Sequence, residues 1–102
     1  LELCTTGRQV KADEALRIGL AHHVVAAGEL LGKGLELAQM IAQKGPLAVR
    51  LAKHLVHHGQ DLDLANANVL EADVFGVAFA SDDRREGIAA FLEKRPPTFT
   101  GR

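Results

Sequence analysis

The stretch "DLDLANANVLEADVFGVAFA", Asp61 to Ala80, has almost no polar face. Leu62, Leu64, Ala65, Ala67, Val69, Leu70, Ala72, Val74, Phe75, Val77, Ala78 and Phe79 are spread around a full helical turn. A helix that is apolar nearly all round is covered from several sides. A chain of 102 residues has little else to cover it with. The stretch therefore predicts a mainly α fold whose longest helix meets a surface from another domain or another subunit.

Working outward, Asp61 is the expected N-cap of this helix, and Ser81 that of the next, with Asp82 and Asp83 in its first turn. That last helix carries Ile88, Phe91 and Leu92, then Lys94 and Arg95 at its C-terminal end, where cations complement the dipole. Pro96-Pro97 stop it, and Phe99 follows in a polar tail. On the N-terminal side, Pro46 to His58 puts Leu47, Leu51 and Leu55 on one face, with Pro46 at the first helical position. Glu29 to Lys44 is a further amphipathic helix, carrying Leu31, Leu35, Ala38 and Ala42 in one stripe. Ala12 to Ile18 forms a short helix closed by Gly19, and "LELCTTG" reads as the last turn of a helix closed by Gly7. Between them and the longer helices, "LAHHVV" fits a strand or extended segment near residues 22–25. A lone strand needs a partner, and the opening run has no initiator Met. Both lead to the expectation that the chain is the C-terminal part of something longer.

Composition narrows the function. Net charge is −1 and the Lys and Arg residues are scattered, which removes the electrostatic case for nucleic-acid binding. No apolar run approaches the roughly 18 residues of a membrane span. The single cysteine, Cys4, has no internal partner and no metal-ligand spacing around it.

Candidate chemistry is sparse. His54, His57 and His58 resemble half a metal site, but no Glu of a zinc-protease helix and no third ligand stands at useful spacing, so they read as a solvated face. Ser81 is better explained as a cap than as a nucleophile. Glu71, set in the apolar helix, is expected to pair with an arginine or sit at an interface edge. Phe75 and Lys94 lie on two helices joined tightly at Ala80-Ser81. A ring and an ammonium brought to one surface suit a ligand with a flat base and phosphates.

"TTGRQVKADEALRIGLAHHVV", "PLAVRLAKHL" and "FASDDRREGIAAFLEKRPPTFTGR" together resemble the C-terminal third of the enoyl-CoA hydratase/isomerase (crotonase) superfamily, over essentially all 102 residues. The resemblance implies the helical, trimerising part of a crotonase-like α/β spiral fold. Residues 1–26 would end its core, and residues 27–102 would form the oligomerisation and CoA-contacting region. It implies an acyl-CoA substrate, bound elsewhere in the protein by two oxyanion amides and hydrated with the help of two glutamates. Both glutamates and both amides belong to upstream segments, and Glu2, Glu14, Glu29 and Glu71 do not align with them. No catalytic residue and no metal ligand is carried onto this chain, which by itself is expected to be inactive. Two positions are carried over: the resemblance places Phe75 and Lys94 near the coenzyme A nucleotide, commonly that of a neighbouring subunit. Coenzyme A is then part of the substrate and no separate cofactor is implied. The implied partners are copies of the chain, as a homotrimer or a dimer of trimers, with no nucleic acid and no membrane. The expected setting is fatty acid β-oxidation or related acyl-CoA metabolism in the cytoplasm, or in mitochondria or peroxisomes if eukaryotic. Left open are an enoyl-CoA isomerase, a branched-chain enoyl-CoA hydratase, and a non-catalytic helical oligomerisation module.

Overall fold

The computed structural model describes residues 1–102 and contains six α-helices and no strand. They are α1 (Glu2–Thr6), α2 (Ala12–Arg17), α3 (Leu30–Ala42), α4 (Pro46–Gly59), α5 (Leu64–Ala80) and α6 (Asp82–Glu93), with a single 3-10 turn at Ala27–Glu29 before α3. By packing, the chain divides into Leu1–Glu36 and Leu37–Arg102. This division falls inside α3.

In the first unit, local backbone chemistry sets every element. Gly7 adopts φ 64°, and its N–H donates to the Leu3 carbonyl, which closes α1. Gly19, at φ 75°, closes α2 in a Schellman arrangement: its N–H donates to Leu16 O and that of Leu20 to Ala15 O. Arg8 bridges the two helices, donating to both carboxylate oxygens of Glu14 at 3.0 and 2.9 Å, with Glu2 at 3.5 Å. The Arg8 hydrogen bond holds Glu14 below the usual carboxylate range. The motif "TGR…A.EA" is thus a cap, a two-pronged ion pair and a second helix. Residues 23–26 pair with no strand, so the segment near residues 22–25 is not a strand, and it leads into Ala26 with extended dihedrals.

The second unit is built on α4, α5 and α6. Half-buried Leu51 and Leu55 of α4 meet Val74 and Ala78 of α5 across one seam. The remaining apolar surface of α5 is open: Leu64, Val69, Phe75, Val77 and Phe79 are all exposed. So are Leu31, Leu35 and Ile41 of α3 and Phe91 and Leu92 of α6. Only Ala90 and Asp83 are fully buried, at 1% and 6% exposure. The chain exposes 8415 Å², whereas a folded monomer of its mass exposes roughly 5,600 Å².

Two expectations change. The N-cap of α5 is Asp63, not Asp61: Asp63 Oδ1 accepts from the N–H groups of Ala65 and Asn66. Asp61 is still in the turn that leaves α4, its N–H donating to His58 O. Of the two alternatives for Glu71, the arginine is absent: the carboxylate is exposed, where water solvates it, and makes no ion pair within the chain.

Candidate functional site

The last turn of α6 separates Lys94 from Arg95. Lys94 has φ 54°, the only residue other than glycine in the left-handed region. Its N–H donates to Phe91 O, and that of Arg95 to Ala90 O, the same Schellman pattern that Gly19 makes at α2. A left-handed residue there reverses the chain, and the tail then runs back along α6.

Three sets of contacts pin the returning tail. Arg95 donates through both terminal nitrogens to the Glu86 carboxylate, at 2.6 and 2.9 Å, and through Nε to Glu93 at 2.6 Å. Glu86 also accepts from the Thr98 N–H at 2.7 Å. The Arg95 hydrogen bond, helped by that of Thr98, holds the Glu86 carboxyl down at about 2. Asp83 accepts from the N–H groups of Thr100 and Gly101, at 2.6 and 2.9 Å, while its own N–H donates to Arg102 O. Gly45, just before α4, abuts Asp83, and Pro46 abuts Gly101. The polar tail is therefore a strap along α6. Asp83, expected simply to complement the α6 dipole, is the buried anchor of that strap. Asp82 beside it pairs with Arg85 in solvent.

Of the two cations at the end of α6, one is left without a partner in the chain. Arg95 is held by two glutamates, whereas Lys94 is exposed and makes no ion pair or side-chain hydrogen bond in the chain. Phe75 is 64% exposed on α5, its ring 5.7 Å from that of Phe79. It opens onto a cavity of about 310 Å³ shared with Phe79, Phe99, Arg84 and Ala48. The Arg84 guanidinium lies 4.3 Å from the centre of the Phe79 ring while its Nε donates to Phe79 O. Lys94 does not line this cavity. The tight α5–α6 joint is present, and the strap links the two positions by carrying Phe99 from the Lys94 reversal to the Phe75 cavity.

The other candidates resolve locally. Ser81 Oγ donates to Ala78 O and accepts from the Arg84 N–H, a cap committed in both directions. The rings of His54 and His58 stack 4.2 Å apart, with His58 Nδ1 against His54 O. No three His, Cys, Asp or Glu side chains converge to hold a metal ion. No helix is long and apolar enough to cross a membrane. Sequence reasoning missed Asp83, Glu86 and Arg95 as a strap. The available signal was slight: two threonines and a glycine in "TFTGR", small residues that leave the backbone open to hydrogen bonding.

Residues 1–102 match the family model described as enoyl-CoA hydratase/isomerase, and the chain belongs to that family. It is 46% identical over 98 residues to a crotonyl-CoA hydratase of Syntrophomonas wolfei, covering 96% of this chain and 38% of that protein. It is 39% identical over 94 residues to a short-chain-enoyl-CoA hydratase of Clostridium acetobutylicum, covering 92% and 36%. The crystal structure of an enoyl-CoA hydratase from Bacillus anthracis superposes with a TM-score of 0.95 at 40% identity, covering 99% of this chain and 39% of that one. The chain thus spans less than half the length of these relatives and corresponds to the C-terminal part of a crotonase-family protein.

Proposed function

We propose that this chain is the C-terminal region of an enoyl-CoA hydratase, which adds water across the double bond of a 2-enoyl-CoA thioester in acyl-CoA metabolism. The family match over residues 1–102, with relatives named as hydratases of crotonyl-CoA and short-chain enoyl-CoA, supports that reading. The chain's own part is to supply subunit contacts and to contact the coenzyme A nucleotide. The exposed apolar faces of α3, α5 and α6 support the first role, since surfaces of this extent mark interaction sites. Catalytic carboxylates and the oxyanion site lie in the upstream region, and this chain alone does not turn over substrate.

One observation carries the nucleotide contact: the Lys94 ammonium is free while its neighbour Arg95 is fully engaged. In this reading Lys94 meets the phosphates and Phe75 the base, with no part in the reacting carbons. In the intact protein, Lys94→Ala then raises KM for crotonyl-CoA roughly fivefold, the scale of one partly exposed charge pair, with kcat little changed. The same variant leaves KM for the crotonyl thioester of pantetheine, which lacks the nucleotide, near that of the parent. Equal weakening of both thioesters, or a change confined to kcat, removes the assignment.

A further inference from the structure

The left-handed residue at the end of α6 is a lysine where the same motif at the end of α2 uses glycine. A side chain in that conformation carries a steric penalty that glycine avoids. It persists when the surroundings over-determine it, and here they do. Immediately after Lys94, the Arg95 guanidinium is clamped on Glu86 from within the same helix, and Glu86 also takes the Thr98 N–H of the returning tail. The residues that follow Lys94 are thereby tied back to α6. Lys94 stands at the apex of a pinned reversal, its own side chain unengaged.

We propose that Glu86 and Arg95 are positioning residues: their two-pronged pair fixes the reversal and so presents the Lys94 ammonium to the phosphates of the nucleotide. This rests on the reading that Lys94 meets that nucleotide. A pre-set cation loses less freedom on binding than one on a frayed helix end, so the clamp favours affinity without touching the ligand. Glu93 contributes a further contact to Arg95 and no contact to the tail. Of the two carboxylates that hold Arg95, Glu86 is the one that also holds the strap.

The test is a double-mutant cycle in the intact protein, measured with crotonyl-CoA and with crotonyl-pantetheine. Glu86→Gln is expected to raise KM for crotonyl-CoA about threefold, somewhat less than the loss of the ammonium itself. Its KM for crotonyl-pantetheine and its kcat should follow the parent. In a Lys94→Ala background, Glu86→Gln should add nothing, because there is no ammonium left to position. A Glu86→Gln effect that persists in that background, that appears equally on both thioesters, or that is absent overturns the positioning role while Lys94→Ala still discriminates between the substrates. If Lys94→Ala itself fails to discriminate, the nucleotide reading falls and the positioning role with it. Should Glu86→Gln not assemble, Arg95→Lys is read by the same criteria, since it keeps the charge and loses the two-pronged grip.

Discussion

Lys94 combines two demands that point to different residues. The backbone of a Schellman turn favours glycine, and the ligand reading requires an ammonium. Lys94→Gly should therefore stabilise the protein by roughly 1 kcal/mol in denaturant unfolding, by relief of the left-handed side chain. Lys94→Ala should not stabilise it, because the methyl group retains that strain. Both should lose the discrimination between crotonyl-CoA and crotonyl-pantetheine. A Gly variant less stable than the Ala variant would mean that the turn is not strained. The two adjacent aspartates make a similar contrast. Asp83 is 6% exposed and accepts two backbone N–H bonds from the strap, whereas Asp82 faces solvent. Asp83→Ala should lower unfolding free energy by about 2–3 kcal/mol, the range for buried hydrogen bonds to a charged acceptor. Asp82→Ala should change it by less than about 0.5 kcal/mol. Equal effects in urea melts would show that the strap contributes nothing through Asp83.

The strap and α6 act together as one element, and acid should separate them. Glu86 is held at about 2 in the folded chain, from an ordinary value of 4.5, chiefly by Arg95. A carboxylate depressed on folding contributes its stabilisation above the unfolded value and loses it as pH falls through the folded one. The clamp should thus be intact above about pH 4.5 and released progressively towards pH 2. Comparing unfolding of the parent with that of Glu86→Gln should show a stability difference that is constant near neutrality and shrinks across that window. A difference independent of pH would mean that the Glu86 charge is not what holds the tail. Limited proteolysis gives a second view, with cleavage within residues 96–102 accelerating over the same pH range.

At the level of the whole chain, the decisive quantity is the apolar area left open. Leu64, Val69, Phe75, Val77 and Phe79 on α5 and Phe91 and Leu92 on α6 have no cover within these 102 residues. Expressed by itself, the chain should self-associate and bind an apolar dye. A compact, dye-silent monomer in sedimentation would show that these faces need no partner. Phe79 illustrates why the area cannot be closed from inside. Its ring already carries Arg84 and Phe75 as neighbours and is still half exposed. Filling the remaining side takes a surface that the three helices of this unit do not possess.

Most helix ends were legible in the residues: Gly7, Gly19, Gly45-Pro46 and Ser81 all act where their chemistry places them. A cap is decided by φ preference, a missing N–H or a short hydroxyl, all within about four residues of the helix end. The excess apolar face of α5 was legible too, because it is a property of periodicity alone. The start of α5 was misplaced by two residues, since Asp61 and Asp63 are equally good caps in isolation. The α4 turn decides between them by using the Asp61 N–H. Residue type likewise could not distinguish Asp82 from Asp83, or Lys94 from Arg95. Each pair offers the same charge one position apart. The choice between the aspartates depends on Thr100, Gly101 and Arg102, brought back against α6 by the chain reversal, and that between the cations on the turn that sets Arg95 against Glu86 and Glu93. Which side chain is tied into the fold, and which is left without a partner in the chain, is settled by those contacts, because a charge stays unengaged only where no near partner satisfies it.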